Sequence, residues 1–308
     1  MGDKIAIIDL GTNTFHLLLA EVDKRQHRIF YREKVPVKIG LGGINRNIIT
    51  EAGILRAIDA MKGFQAKLLN YKIDLVYAFG TSALRNATNG VAVSARLKAE
   101  TGIPVKIISG DEEAEYIYKG VRSAVKMNST SLIVDIGGGS VEFIIGNDSE
   151  IFWKQSVEIG AQRLLEKFQK HDPILPEEID ELMAFFKISL LDLFHAIRKY
   201  MPQDLVGSSG TFDTLSEIYC NKNGIEFDSL APETPLTMDS FFETFNELIV
   251  KNREERLKIP GMMEMRVDMI VVACCLISFL LVENLNIKNL RVSSYSLKEG
   301  VLGSLLQY

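Results

Sequence analysis

Two stretches of this chain repeat one another at a constant spacing of 126 residues: IAIIDLGTNTFHLLLAEV from Ile5 and SLIVDIGGGSVEFIIGND from Ser131. Asp9 falls on Asp135, Gly11 on Gly137, and Thr12, Asn13 and Thr14 fall on Gly138, Gly139 and Ser140. Apolar runs flank both segments, so each reads as a strand, a tight glycine turn and a returning strand. Any two β-hairpins look broadly alike, but agreement of the acid, the glycine and the hydroxyls in order marks a repeat. The chain is thereby restricted to folds with two related halves. Its 308 residues leave room for both at roughly 150 residues per domain.

Between the hairpins the period changes. Ile54, Leu55, Ile58, Met61, Phe64 and Leu68 share one helix face, and IDLVYAF from Ile73 reads as a strand. Ala87 to Glu100 follows as a helix, VKII from Val105 as a strand and Glu112 to Lys126 as a third helix. The later half is richer in helix, with apolar stripes over 177–200, 240–251 and 265–283, while DLVGSSGT and NLRVSS supply strand ends. The polar stretch from Lys126 to Ser131 is the natural linker, dividing the chain into 1–126 and 127–308. Strand–helix alternation with a duplicated opening hairpin predicts an α/β protein, two domains facing across a central cleft with ligands at the strand ends.

A content of 47% hydrophobic and 24% charged residues fits an ordinary folded core and excludes a disordered chain. Forty acids against 35 bases leave a net charge of -5. Bulk electrostatics therefore argue against a nucleic-acid partner, and any polyanion must be met by a local site. Cys220, Cys274 and Cys275 form no CxxC spacing, which suits reduced thiols and a cytoplasmic protein. The longest apolar run, Met269 to Val282, is too short for a membrane span. The apolar late helices serve equally as core or as the face of a homodimer.

Each hairpin sets a carboxylate, Asp9 or Asp135, beside a turn rich in glycine and hydroxyl groups. Such turns aim backbone N–H groups and hydroxyls at an anion, and phosphate is the natural guest. A carboxylate next to phosphate is repulsive unless a divalent cation or a water sits between, and Mg²⁺ suits that oxygen-rich setting. Glu142, beyond the second turn, is placed to return toward the same ion. Arg85, in GTSALR after a strand, can clamp a phosphoryl group with its planar fork or form a surface ion pair. In SGDEEAEYIYKGV, Ser109 and Glu112 form a capping box. Glu113 lies past that box and is left to project as a base for water. No Gly-Lys dipeptide, G-x-G-x-x-G or G-x-S-x-G run occurs, and His16, His27, His171 and His195 lack zinc spacing.

Taken together, DLGTNTFHLL, GTSALR, SGDEEAEYIYKG, DIGGGSVEF, GSSGT and IPGMMEMRVDMI resemble the exopolyphosphatase and guanosine pentaphosphate phosphatase family, in family order across nearly the whole chain. The resemblance implies two ribonuclease-H-like, actin-like domains around a phosphate cleft. It implies that Glu113 is the general base that activates water. It assigns terminal phosphates to Thr12, Asn13, Thr14, Arg85 and the turn Gly137, Gly138, Gly139 and Ser140, and gives the divalent metal or lytic water to Asp135 and Glu142. GSSGT, 207–211, matches a segment that contacts adenosine in nucleotide-binding relatives; lining a polyphosphate path is its other use. The chain departs from the family pattern at GTNT, where GSNS is usual, and at Ser294 and Lys298, where Asp and Arg are common. It ends at Tyr308 without the helical HD-type domain of the long forms, and its last segment, 296–308, is expected as a helix packing back on the first domain.

The function so implied is Mg²⁺-dependent hydrolysis of a terminal phosphoanhydride, releasing orthophosphate from inorganic polyphosphate. A guanosine pentaphosphate 5'-phosphatase is the alternative within the same chemistry, and a kinase of the same superfold is disfavoured because the Glu113 context predicts water as acceptor. A non-catalytic polyphosphate or alarmone sensor is the alternative of another class. Intact Asp9, Glu113, Asp135 and Glu142 argue for the enzyme.

Overall fold

The structure, a computed structural model, describes residues 2–23, 26–284 and 286–306. The chain divides into two compact units, one of Met1–Gly120 with Leu297–Tyr308 and one of Val121–Ser296. Residues 307 and 308 of the segment expected as a final helix lie outside the described residues.

In the first unit the repeat forms β1 (Asp3–Leu10) and β2 (Thr14–Asp23), and the chain turns again into β3 (Gln26–Pro36). Then come α1 (Glu51–Tyr71), β4 (Leu75–Gly80), α2 (Ser82–Asn86), α3 (Gly90–Thr101), β5 (Val105–Ile107) and α4 (Gly110–Ala124), whose last residues pass into the second unit. The sheet order is β3-β2-β1-β4-β5, with β4 parallel to β1. Thr50 starts α1 by accepting a hydrogen bond from the Gly53 amide at 3.2 Å, and Lys72 ends it in the left-handed region at φ 54°. The predicted face of α1 packs with alternate strand residues Ala6, Ile8, Leu10, Phe15, Leu17 and Leu19 into one core. Leu55 is the exception, 53% exposed. Ile5 and Ile7 on the opposite strand face are buried as well, which is why β1 reads as an unbroken apolar run. The expected helix over 87–100 begins only at Gly90, because Ala87 is extended and closes α2.

The second unit opens with β6 (Ser131–Ile136), β7 (Val141–Gly146) and β8 (Ile151–Val157), followed by α5 (Ala161–Phe168), α6 (Pro176–Ser189), α7 (Leu191–Tyr200), β9 (Asp204–Ser208) and α8 (Gly210–Lys222). It continues through β10 (Glu233–Thr234), α9 (Met238–Val250), α10 (Arg253–Leu257), α11 (Ile270–Glu283) and β11 (Asn289–Ser293). The order β10-β11-β9-β6-β7-β8 repeats that of the first sheet, with β10 added at one edge. The expected helix over 177–200 is two helices meeting at Leu190, which is fully buried. The break lets α6 pack on α11 while α7 lies on β7 and β8. α11 is buried along nearly its whole length, as an all-round apolar helix must be. It begins five residues later than the stripe suggests because 265–269 form turns. The chain then returns to the first unit as α12 (Leu297–Leu305), which packs on β1.

Candidate active site

The two turns are built alike. A Cβ on Gly11 would lie 2.8 Å from the Thr14 carbonyl oxygen, and one on Gly137 would lie 3.0 Å from that of Ser140. Glycine is therefore required at the matching position of each hairpin. Peptide carbonyls of both turns are engaged on one side. In the first, the Asn13 oxygen accepts from the Val37 and Lys38 amides, each at 2.9 Å, and the Thr12 oxygen accepts from Gly40 at 3.2 Å. In the second, Gly137 and Gly138 accept from the Ala161 and Gln162 amides at 2.9 Å, and Gly139 accepts from Gly160 at 3.2 Å, all at the start of α5. A trans peptide points its N–H opposite to its C=O, so the amides of Gly138, Gly139 and Ser140 are directed away from α5. Those of Gly138 and Gly139 donate no hydrogen bond among the described residues. The Thr12 hydroxyl is buried without a hydrogen-bond partner among them. Undonated amides in one turn and an orphan hydroxyl in the other are groups an anion-binding turn offers.

Beyond β4, the Arg85 amide donates to the Thr81 oxygen at 2.9 Å while Thr81 bonds the end of β1 through the Leu10 oxygen. The first turn of α2 is thus tied to the strand that carries Asp9. Arg85 Nη1 donates to Glu113 Oε2 at 2.6 Å, with side chains 15% and 10% exposed. The capping box forms as expected: the Glu112 amide donates to Ser109 Oγ at 3.1 Å and the Ser109 amide to Glu112 Oε2 at 3.0 Å. Lys106 first, and the Ser109 amide second, hold the Glu112 carboxyl below its ordinary range. Glu112 thus faces the exposed side, and Glu113, one residue on, is buried against Arg85.

Strand register assembles the acids of the second unit into a row. Ser156, Glu142, Asp135, Ser208, Ser293 and Glu233 are successive cross-strand partners from β8 to β10. Glu142 stands directly opposite Asp135, an arrangement that like charges disfavour. Hydroxyls offset it. Ser140 and Ser156 donate to Glu142 Oε1 at 2.6 and 2.7 Å, and Ser208 and Ser296 donate to Asp135 Oδ2 at 2.7 and 2.6 Å. Asp135 Oδ1 accepts no hydrogen bond from the described residues. In the first sheet the corresponding row is Lys34, His16, Asp9, Phe79 and Lys106. His16 therefore occupies the place that Glu142 takes in the repeat.

Arg266 completes this surrounding. It is 7% exposed, and its guanidinium lies where a Cβ on Gly210, at the head of α8, would be 2.2 Å from Nη2. Burial pulls the guanidinium down from its ordinary range, while Asp213 and then Asp135 act in the opposite sense. Its Nε has no hydrogen-bond partner among the described residues.

Of the residues expected from the sequence, Asp9, Thr12, Asn13 and Thr14 share the first hairpin, and Arg85 and Glu113 form a pair. Asp135, Gly137, Gly138, Gly139, Ser140 and Glu142 share the second hairpin, the glycines and Ser140 in its turn and the two acids on its strands. Among the described residues no three His, Cys, Asp or Glu side chains form a group that could hold a metal ion. The donors still suit Mg²⁺, which keeps several waters and takes one or two carboxylates together with substrate phosphates. Ser156 and Ser296 join these acids only through register and packing, whereas Ser208 lies in GSSGT and Arg266 in IPGMMEMRVDMI, both stretches singled out in the sequence without a role for these side chains.

The model of the Ppx/GppA phosphatase family matches residues 18–308. A solved exopolyphosphatase from Cytophaga hutchinsonii is 43% identical, with a TM-score of 0.95 over 99% of this chain and 98% of that one. The Ppx/GppA family member of Aquifex aeolicus is 25% identical, with a TM-score of 0.80 over 99% and 98%. A guanosine-5'-triphosphate,3'-diphosphate pyrophosphatase of Pseudoalteromonas translucida is 28% identical over 98% of this chain, which spans 59% of that protein's length. No helix among the described residues is long and apolar enough to cross a membrane. With the family model matched over nearly the whole chain and the fold shared with solved members, this chain belongs to the Ppx/GppA phosphatase family.

Proposed function

We propose that this protein is an exopolyphosphatase that removes the terminal phosphate of inorganic polyphosphate with water as acceptor. The observation that carries the reading is the buried Glu113 carboxylate held at 2.6 Å by Arg85, in a family of phosphatases, in a chain with two turns built to present amides and hydroxyls to phosphoryl oxygens. The 43% identity to the Cytophaga hutchinsonii exopolyphosphatase over 99% of the chain supports the substrate.

In the proposed reaction Glu113 accepts a proton from water as the water oxygen bonds to the terminal phosphorus. The bond from that phosphorus to the bridging oxygen breaks, and the bridging oxygen leaves on the shortened chain. Phosphoryl transfer of this kind depends on alignment and charge neutralisation. Arg85, Thr12, Asn13 and Thr14 on the first unit, and the amides of 138–140 on the second, are groups suited to donate to non-bridging phosphate oxygens. Mg²⁺ or another divalent cation, which Asp135 and Glu142 would hold in the second unit, would neutralise phosphate charge; Asp9 is the corresponding acid of the first unit. The serine pairs on Glu142 and Asp135 orient those carboxylates, and Arg266 adds positive charge beside Asp135.

The Pseudoalteromonas translucida relative, by its name, favours guanosine pentaphosphate as a second substrate with the same scissile bond. Orthophosphate release with Mg²⁺ from polyphosphate, guanosine pentaphosphate and ATP, measured side by side, tests the reading. Release from polyphosphate is expected. Release from guanosine pentaphosphate alone would replace polyphosphate as the substrate, and binding of either without release would indicate a sensor.

A further inference from the structure

Arg163 lies behind the second turn, in the first turn of α5, and the mechanism above makes no use of it. Its Nε donates to the Gly139 carbonyl oxygen at 2.9 Å, and its own amide approaches the Gly138 oxygen at 3.4 Å. Its Nη2 is anchored by Glu158 at 3.3 Å, with side chains 11% and 40% exposed. The Gly139 oxygen thus takes two donors, the Gly160 amide and the arginine.

That carbonyl belongs to the peptide whose N–H is Ser140. A charged donor on the oxygen polarises the whole peptide unit and strengthens the N–H on its far side. It also fixes which side is which. Gly138 and Gly139 can adopt backbone angles closed to other residues, so the peptide following them can rotate and exchange its carbonyl for its amide. A rotated peptide would present a carbonyl oxygen to an anion. Gly160 leaves no slack on the same side, since a Cβ there would stand 2.4 Å from the Gly138 carbonyl carbon and the Gly139 nitrogen. The first turn has a comparable brace one step removed. Arg56 donates to the Val37 and Lys38 oxygens at 2.7 and 2.6 Å, and the amides of those residues hold Asn13.

From this geometry we infer that Arg163 is a positioning residue: it locks the Gly139–Ser140 peptide with its amide toward the phosphate, without touching phosphate itself. The inference deepens the proposed function and rests on the reading of this turn as a phosphate-binding element. Its test uses Arg163→Met, Arg163→Lys and Glu158→Gln, with inorganic phosphate binding by calorimetry, steady-state kinetics on polyphosphate and thermal unfolding. Arg163→Met is expected to weaken phosphate binding and raise KM by about tenfold, the scale of one hydrogen bond to a charged group, with a smaller change in kcat. Arg163→Lys should recover part of the loss, and Glu158→Gln should shift phosphate affinity in the same direction by less. A folded Arg163→Met that binds phosphate as wild type does would overturn the assignment. If that variant does not fold, unchanged phosphate affinity in both Arg163→Lys and Glu158→Gln would overturn it equally. Should wild type release phosphate from no substrate while its phosphate binding still responds to Arg163, the phosphatase reading falls and the positioning role stands.

Discussion

Glu113 and Arg85 are the pair on which the proposed chemistry turns, and they make separable predictions. General bases contribute roughly a hundredfold to ten-thousandfold, so Glu113→Gln should lower kcat by about that factor while substrate still binds. Its thermal unfolding should stay close to wild type, since the amide retains an acceptor for Arg85. A Glu113→Gln enzyme as fast as wild type would remove the base assignment. Arg85→Ala should cost about a hundredfold to a thousandfold, the usual loss for one charge-stabilising donor. Among the serines, Ser208 and Ser296 share one oxygen of Asp135. Their alanine variants should therefore be non-additive, the double variant losing more or less than the two single losses multiplied. Rates of the two singles and the double, measured at one Mg²⁺ concentration, check this.

At the scale of elements, the register of β6 and β7 gave each acid its neighbours, and register was only partly legible in the chain. The repeat predicted both hairpins, and the Ile54-to-Leu68 stripe predicted α1. The third strands, β3 and β8, carry no comparable apolar alternation, because their residues are mostly half-buried or exposed. The break at Leu190 falls within a continuous apolar stripe, and only the different partners of α6 and α7 explain it. The start of α6 also has a pH signature. Burial pushes the Glu178 carboxyl up, but the Leu175 amide, His171 and the Lys170 amide together outweigh it and hold the group below its ordinary 4.5. A depressed carboxyl stabilises the fold above the unfolded-state value and loses that contribution as pH falls through the folded one. Glu178→Gln should therefore be less stable than wild type at neutral pH, with the difference closing below about pH 4.5. Chemical denaturation at pH 7 and at pH 4 measures it.

Across the molecule, the duplicated arrangement was legible in one repeat, an Asp, a Gly and a hydroxyl recurring in order between apolar runs, and the α/β class in the alternation of strand and helix periods that follows it. The braces behind the turns were not legible, since Arg163 and Arg56 act on backbone carbonyls, which a sequence does not display. The cysteines report on the large core of the second unit. Cys274 and Cys275 are fully buried, and burial pushes the Cys275 thiol up to about 12 and that of Cys274 well above its usual range. Only thiolates react readily. Both should resist a thiol reagent at neutral pH in the folded protein and react together once this unit opens, as a denaturant series with a chromogenic disulfide would reveal.

The imidazole at position 16, standing where the other copy has a carboxylate, separates the trades of two otherwise twin hairpins. One copy tolerates adjacent acids because serines hold them; the other sets an imidazole opposite its acid. Installing the missing acid by His16→Glu would set a second carboxylate directly opposite Asp9, at the position whose partner on the other side is Lys34. The expected result is a folded protein with poorer affinity for polyanions, eased by added divalent cation, so that a duplicated backbone does not make for interchangeable halves.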